Sequence, residues 1–533
     1  SLSANDIAEF TSTQIGALST TQLKSLTATT VGYLADTQVA ALTSTQLQSL
    51  STTQVAAFDA TQVGALAATQ VAALTGAQVK GLTSTAVGAL ADTQIAALTT
   101  TQVASLSVTS LTSLNATQIG AFTTTQIGAL QRTQLAALDT TTLSALDETQ
   151  MGALNATQIK ALTATQISGL TAEDVAEMTT TQIANLAATQ VQALTSTNMA
   201  SMADTQVAAF TTSQVKAFSA STIAAFTDTQ IAALTTTQVS ALGATQIAGL
   251  TETNVAAMTN TQIGAITATQ IASLTATAVS GFDSAQFASL STTQVKALTT
   301  TQMSALNATD ISDFTNTQIA ALTTTQITGL TTTNVGDLTE TQIGALSTAQ
   351  VQSLSASSIS SMSDTQIAAF ANTQIAALAS NQVQGLNATN IGALTTTQIG
   401  ALTSTQIALL STTNVRAMAD TQVAAMSTTQ VRAFTASQIT ALRTTDLGEF
   451  TETQIGALLD TQVQALSTTN FAALADTQVA ALTTTQLAAV STAQVTALTE
   501  TQVGAMTTNQ VQALSTTQLR ALTATNLSAL DAS

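Results

Sequence analysis

The sequence predicts an all-α solenoid, a superhelix of very short capped helices with one helix per eight residues. Three observations predict it. An octad repeats along the chain without a slip, every octad carries a helix-start signal, and a second period of three to four octads runs through the exceptions. Gln14, Gln22, Gln38, Gln46, Gln54, Gln62 and Gln70 stand at multiples of eight from one another. From Asn5 to Ala532 the chain reads as 66 octads with no insertion or deletion. The array is one continuous domain over residues 1–533, since no linker or composition shift divides it.

The octad Thr13-Gln14-Ile15-Gly16-Ala17-Leu18-Ser19-Thr20 sets the positions 1 to 8. Positions 3 and 6 are apolar in every copy, usually Val or Ile at 3 and Leu at 6. Position 5 is small, position 7 is mostly Thr or Ser, and positions 4 and 8 take most of the charges. Across the junction, Ser19-Thr20-Thr21-Gln22 is a capping box: the hydroxyl accepts from the third helical amide, and the Gln reaches back to the cap amide. Leu18 and Leu23 flank it as a hydrophobic staple. Each cap stabilises by roughly 1 kcal/mol. The helix is expected to run about seven residues, to Leu26, too short to stand alone. Stability must therefore come from stacking.

Two other folds compete. A single long helix would drift about 80° per octad and smear the apolar residues around its surface. A β-solenoid is favoured by Thr, Val and Ile. Against it, positions 3, 5 and 6 do not alternate, and the corners lack the Gly, Asn and Asp of tight turns.

Position 2 departs from Gln in 18 octads, beginning with Asp6 and Thr30 and ending with Asn470 and Asn526. Their spacings are three or four octads, or the sum of the two. From Asp174 to Asp446 the mean step is 3.4 octads, as one stripe along a superhelix would give. The charges follow the same phase. Acids at position 5 are Glu9, Glu177, Asp313, Asp337 and Glu449, all in non-Gln octads. So are ten of the acids at position 8, among them Asp92, Asp204, Asp228, Glu340, Asp364 and Asp476. Basic residues at position 4 avoid that stripe, except Arg416. A lateral-contact stripe is therefore expected, comprising Asp6, Glu9, Asp174, Glu177, Asn198, Asn254, Asp310, Asp313, Asn334, Asp337, Asn390, Asn414, Asp446, Glu449, Asn470 and Asn526. A separate basic stripe comprises Lys24, Lys80, Lys160, Lys216, Lys296 and Arg432. Layers stacked at roughly 8–10 Å give about 19 turns and a rod of roughly 160–190 Å.

Composition narrows the function. The chain is 45% hydrophobic but only 7% charged and 3% aromatic, with no His, Cys, Pro or Trp. An ordinary globular chain carries about 25% charged residues. Without His or Cys there is no imidazole base, no thiolate and no disulfide. A net charge of −18 disfavours phosphate backbones, so no nucleic-acid partner is expected. No apolar run reaches the roughly 18 residues of a membrane span. With neither a signal peptide nor an initiator Met, the sequence reads as a mature or excised piece of a longer chain. The paired carboxylates Asp6/Glu9, Asp174/Glu177, Asp310/Asp313 and Asp446/Glu449 could each share a helix face and suggest Ca²⁺, although no loop with EF-hand ligand spacing accompanies them. The other reading of these pairs is a solvated acidic stripe. No other cofactor and no small-molecule substrate is expected. The 11 Phe at position 6 are expected in the core, and Tyr33 on the surface.

The run Leu322-Thr323-Thr324-Thr325-Gln326-Ile327 resembles the octapeptide low-complexity regions of very large bacterial secreted or surface proteins. That resemblance implies an extracellular structural or adhesive role. The phrase is also similar to the opening of TAL-effector repeats, but their 34-residue period and basic surface are missing here. The reading is thus a non-enzymatic extracellular rod, filament or sheath that self-associates into filaments or bundles. A surface adhesin, or a solenoid whose Thr rows bind ice or carbohydrate on a flat β face, is the alternative. Lacking Cys and Pro, such a chain folds after export without a disulfide or prolyl step.

Overall fold

The octad ending at Leu106 shows how each unit forms. Thr99 is extended (φ −72°, ψ 156°), its hydroxyl oxygen accepts from the Gln102 amide at 3.2 Å, and its own amide donates to Gln102 Oε1 at 2.7 Å. This reciprocal pair fixes the start of the helix Thr100–Ser105. Leu106 then returns to extended backbone (φ −54°, ψ 135°), and Ser107 caps the next helix. In this computed structural model, which describes residues 3–530, sixty-six such helices follow one another, each four to seven residues long. Most are shorter than the seven residues expected. The position-6 residue leaves the helix because its extended backbone turns the chain and drops its side chain inward. Among the described residues there is no strand, which overturns the β-solenoid reading and removes the flat face that ice binding needs. No described residue has positive φ, so the corners are made by extended residues and need no Gly or Asn.

The chain divides into two compact units, Ser1–Leu274 and Thr275–Ser533. Within the first, Gly76–Gly81 packs against Thr100–Ser105, the third helix onward. Within the second, Ala356–Ser361 packs in the same way against Ser380–Gly385. Contact with the third neighbour, and side-chain bonds that reach the fourth (below), bracket the superhelical turn between three and four octads.

Both apolar positions face the axis. At position 3, Val103 and Ile127 are 0% exposed; at position 6, Leu106 and Leu130 are 4%. Phe at position 6 lies in this core, as Phe58 and Phe122 show. Phe210, Phe218 and Phe226, one per successive octad, stack edge to face with centroids 4.9 and 5.6 Å apart. Met202 and Met258 are buried too, while Tyr33 is 47% exposed. Small residues at position 5 let the turns touch. A Cβ on Gly249 would stand 2.8 Å from Ala220 Cβ and 2.9 Å from its carbonyl oxygen.

Candidate interaction surface

Position 2 does two jobs at once. Its Oε1 accepts from the cap amide of its own helix. Its Nε2 donates to carbonyls that end the helix four units earlier. Gln102 Nε2 reaches Val71 O and Leu74 O at 2.7 Å each. Gln126 reaches Ile95 O, Ala96 O and Leu98 O at 2.9, 3.3 and 2.6 Å. Gln382 repeats this in the second unit, on Val351 O and Leu354 O. Short helices leave four C-terminal carbonyls each without an intrahelical partner. One Gln therefore satisfies the start of one helix and the end of another. Gln14 and Gln22 have no helix four units before them in this chain, and both are exposed. From Gln38 to Gln518 the position-2 Gln are buried. The capping role was legible in the sequence; the link between turns was not.

The expected lateral stripe must be corrected at this position. Asp174, Asn198, Asn254, Asp310, Asn334, Asn390, Asn414, Asp446, Asn470 and Asn526 are all buried, none more than 6% exposed. As the third residue of a helix, position 2 points at the preceding turn rather than outward. Asp6 is exposed, with no turn before it in this chain. The shorter Asn makes a single bond between turns, as in Asn198 Nδ2 to Leu170 O and Asn334 Nδ2 to Leu306 O. Asn390 Nδ2 makes none, and beside it Asn387 Nδ2 donates to the Ser360 carbonyl. Asp174 accepts from the Ser144 hydroxyl at 2.6 Å, and Asp446 is held by Arg443 at 2.6 Å.

The acids at position 5 vary. Glu9 and Glu449 are exposed; Glu177, Asp313 and Asp337 are half-buried. Asp313 accepts from Ser284 at 2.8 Å. Burial pushes the Glu177 carboxyl up, aided by the charges of Asp174, Glu148 and Asp147. Burial also pushes Asp310 up, against the Asn307 amide that lowers it. Among the described residues, the buried side-chain polar atoms without a partner are Glu177 Oε2, Asp337 Oδ2 and Asn390 Nδ2, all in non-Gln octads. Among the same residues, no three acids converge to hold a metal ion.

The outer surface of this flank is made by position 8. Asp92, Asp204, Asp228, Glu340, Asp364, Asp476 and Glu500 are exposed first residues of helices, where acids favour the helix dipole. Glu340 and Glu452 each rim an open groove between turns, of about 340 and 350 Å³. Lys24, Lys80, Lys160, Lys216, Lys296 and Arg432 are all exposed. Among the described residues only Arg443 and Asp446 form an ion pair. No described helix is long and apolar enough to cross a membrane.

The ALTTAQ repeat family matches at residues 39–76, 207–244, 375–412 and 471–508. The four ALTTAQ matches open on Val39, Val207, Ile375 and Phe471, all at octad position 3, so the register is common to them. No curated protein is similar enough to match the chain.

Proposed function

We propose that this is an extracellular structural repeat protein, a solenoid that builds a filament or sheath by lateral association. The observation that supports it most is the phasing of exposed charge. The position-2 bonds between turns do not involve the exposed position-8 acids, so the clamp alone gives no reason for acids to gather on one side. A one-sided pattern answers to something outside. The resemblance to repeat regions of secreted bacterial proteins supports an extracellular location, and the missing Cys and Pro suit export of an unfolded chain. No catalysis and no small-molecule substrate enter this reading, and its acidic surface is not one for nucleic acid.

The position-5 and position-8 acids are the contact surface; the position-2 residues stand behind them. Negative-stain electron microscopy of the purified chain, with immunogold labelling of the producing cells, tests the reading. Laterally associated particles and label outside the cell are expected. Isolated particles at all concentrations, or label confined to the cytoplasm, would sink it.

A further inference from the structure

A longer ladder lies inside the stripes. Lys24, Lys160, Lys296 and Arg432 stand seventeen octads apart, and Lys80 and Lys216 repeat that step. The acids keep the same step: Asp92, Asp228, Asp364 and Glu500; Asp204, Glu340 and Asp476; Glu177, Asp313 and Glu449. So do the buried substitutions Asp174, Asp310 and Asp446, and Asn254, Asn390 and Asn526. Seventeen octads make five whole turns at the 3.4 per turn that the stripe gives, a value within the three to four octads that the contacts between turns allow. Residues one step apart within a unit therefore share one side of the superhelix, five turns apart. At 3.4 octads per turn, the Lys24 and Lys80 ladders fall between half and three-quarters of a turn past the non-Gln octads. The basic and acidic rungs thus occupy separate flanks.

The core does not keep this step. Val175, Ile311 and Leu447 are equivalent by it and differ, as do Met199, Val335 and Phe471. Copying of a seventeen-octad block would have preserved both, so the charges are held by something that the core does not feel. Nor do the Lys24 and Lys80 ladders pair with an acid within the molecule, where Arg443 and Asp446 form the single ion pair among the described residues.

Resting on the filament reading above, we propose that the partner is a second copy of this chain. The basic flank of one copy sits on the acidic flank of the next in a single register repeated every seventeen octads. Each Lys lies beside position-8 acids at the groove rim, as Glu340 does. Two ladders with one common step align all rungs at once, which ladders of different step would not. Because the two flanks differ, the contact is heterologous and leaves each copy a free flank, so copies can add beyond a pair into a sheet or bundle.

The test uses charge swaps on the full chain. One variant carries Lys24→Glu, Lys160→Glu, Lys296→Glu and Arg432→Glu. A second carries Asp204→Lys, Glu340→Lys and Asp476→Lys. All these side chains are exposed, and helix content by circular dichroism checks the fold. Each variant alone should need at least about tenfold more protein to assemble, since repulsion replaces attraction at each swapped rung. An equimolar mixture should recover assembly. Fibre diffraction or cryo-EM of the wild type should show an axial repeat of five turns, about 40–50 Å at ordinary helix-layer spacing. Variants that assemble like the wild type overturn the ladder while leaving the filament reading intact. Failure of the wild type to associate at all overturns the filament reading itself. Assembly abolished by a chelator yet untouched by the swaps would replace the ladder with divalent-cation bridging.

Discussion

The run Gln46 to Gln78 and the run Asp174 to Asn198 have the same octad, helices and core, yet their turns are joined differently. In the first, every position-2 side chain donates two or three bonds to the preceding turn, as Gln46, Gln54 and Gln78 do. In the second, Asp174 accepts one from Ser144 and Asn198 donates one to Leu170, while Gln182 and Gln190, which lie between them, keep two each. The apolar core sets the fold, while the polar seam sets how firmly successive turns are clamped. A seam that is weaker along one flank gives a polar inside as sided as its charged outside.

Mutations can break this comparison. The largest effect belongs to the core and should be blind to flank. Ile127→Ala and Ile391→Ala should each cost about 2–5 kcal/mol, read by denaturant melts; a gap between them larger than their spread would show that the flanks differ in packing too. Next is the clamp. Gln126→Ala strands the Thr123 amide and the Leu98 carbonyl and takes a donor from Ala96 O, while Ile95 O keeps the Leu98 amide, for a cost of about 1–3 kcal/mol; Asn198→Ala strands only the Thr195 amide and the Leu170 carbonyl and should cost less. Equal losses at the two sites would refute the weak seam. Thr123→Ala removes the hydroxyl that caps Gln126 and should cost about 1 kcal/mol. Octads interact chiefly with near neighbours along the superhelix, so hydrogen exchange should place each loss near its site.

The smallest effect is on pH. Glu177 and Asp310 titrate above their ordinary 4.5 and 3.8 in the folded chain. As pH falls through their raised values, the native state takes up protons that the unfolded chain does not, and stability rises. Asp59, Asp139 and Asp147 are lowered by hydrogen bonds from Gln62, Thr142 and Thr149. Their contribution is present above their ordinary 3.8 and is lost as pH falls toward their native values. Thermal melts should therefore show a maximum at mildly acid pH. A steady fall from neutral downward would count against the raised titration of half-buried Glu177 and buried Asp310.

The caps and both core positions could be read from Thr-x-x-Gln and the apolar spacing because those signals are local. The role of Gln Nε2 could not be read. Its partners lie a full turn back, on the helix four units earlier, and which carbonyl it meets depends on the superhelical pitch, which no single octad encodes. For the same reason Asn198 and Asp310 looked like surface residues. Their phase was visible, but the direction in which position 2 points was not. The ladder Lys24, Lys160, Lys296 and Arg432 was present in the sequence and emerges only when octads are counted in seventeens.

The uniform backbone has a genetic consequence. Extended caps and short helices alone build every corner among the described residues, with no positive φ. Gaining or losing one octad therefore leaves each local bond a fresh partner of the same kind, and the chain still folds. Yet one added octad swings all that follows it by more than a quarter turn, off the charged flanks. Such a gene is free to change length one octad at a time as far as folding goes, but brings its faces back into full register first when it grows or shrinks by seventeen octads together.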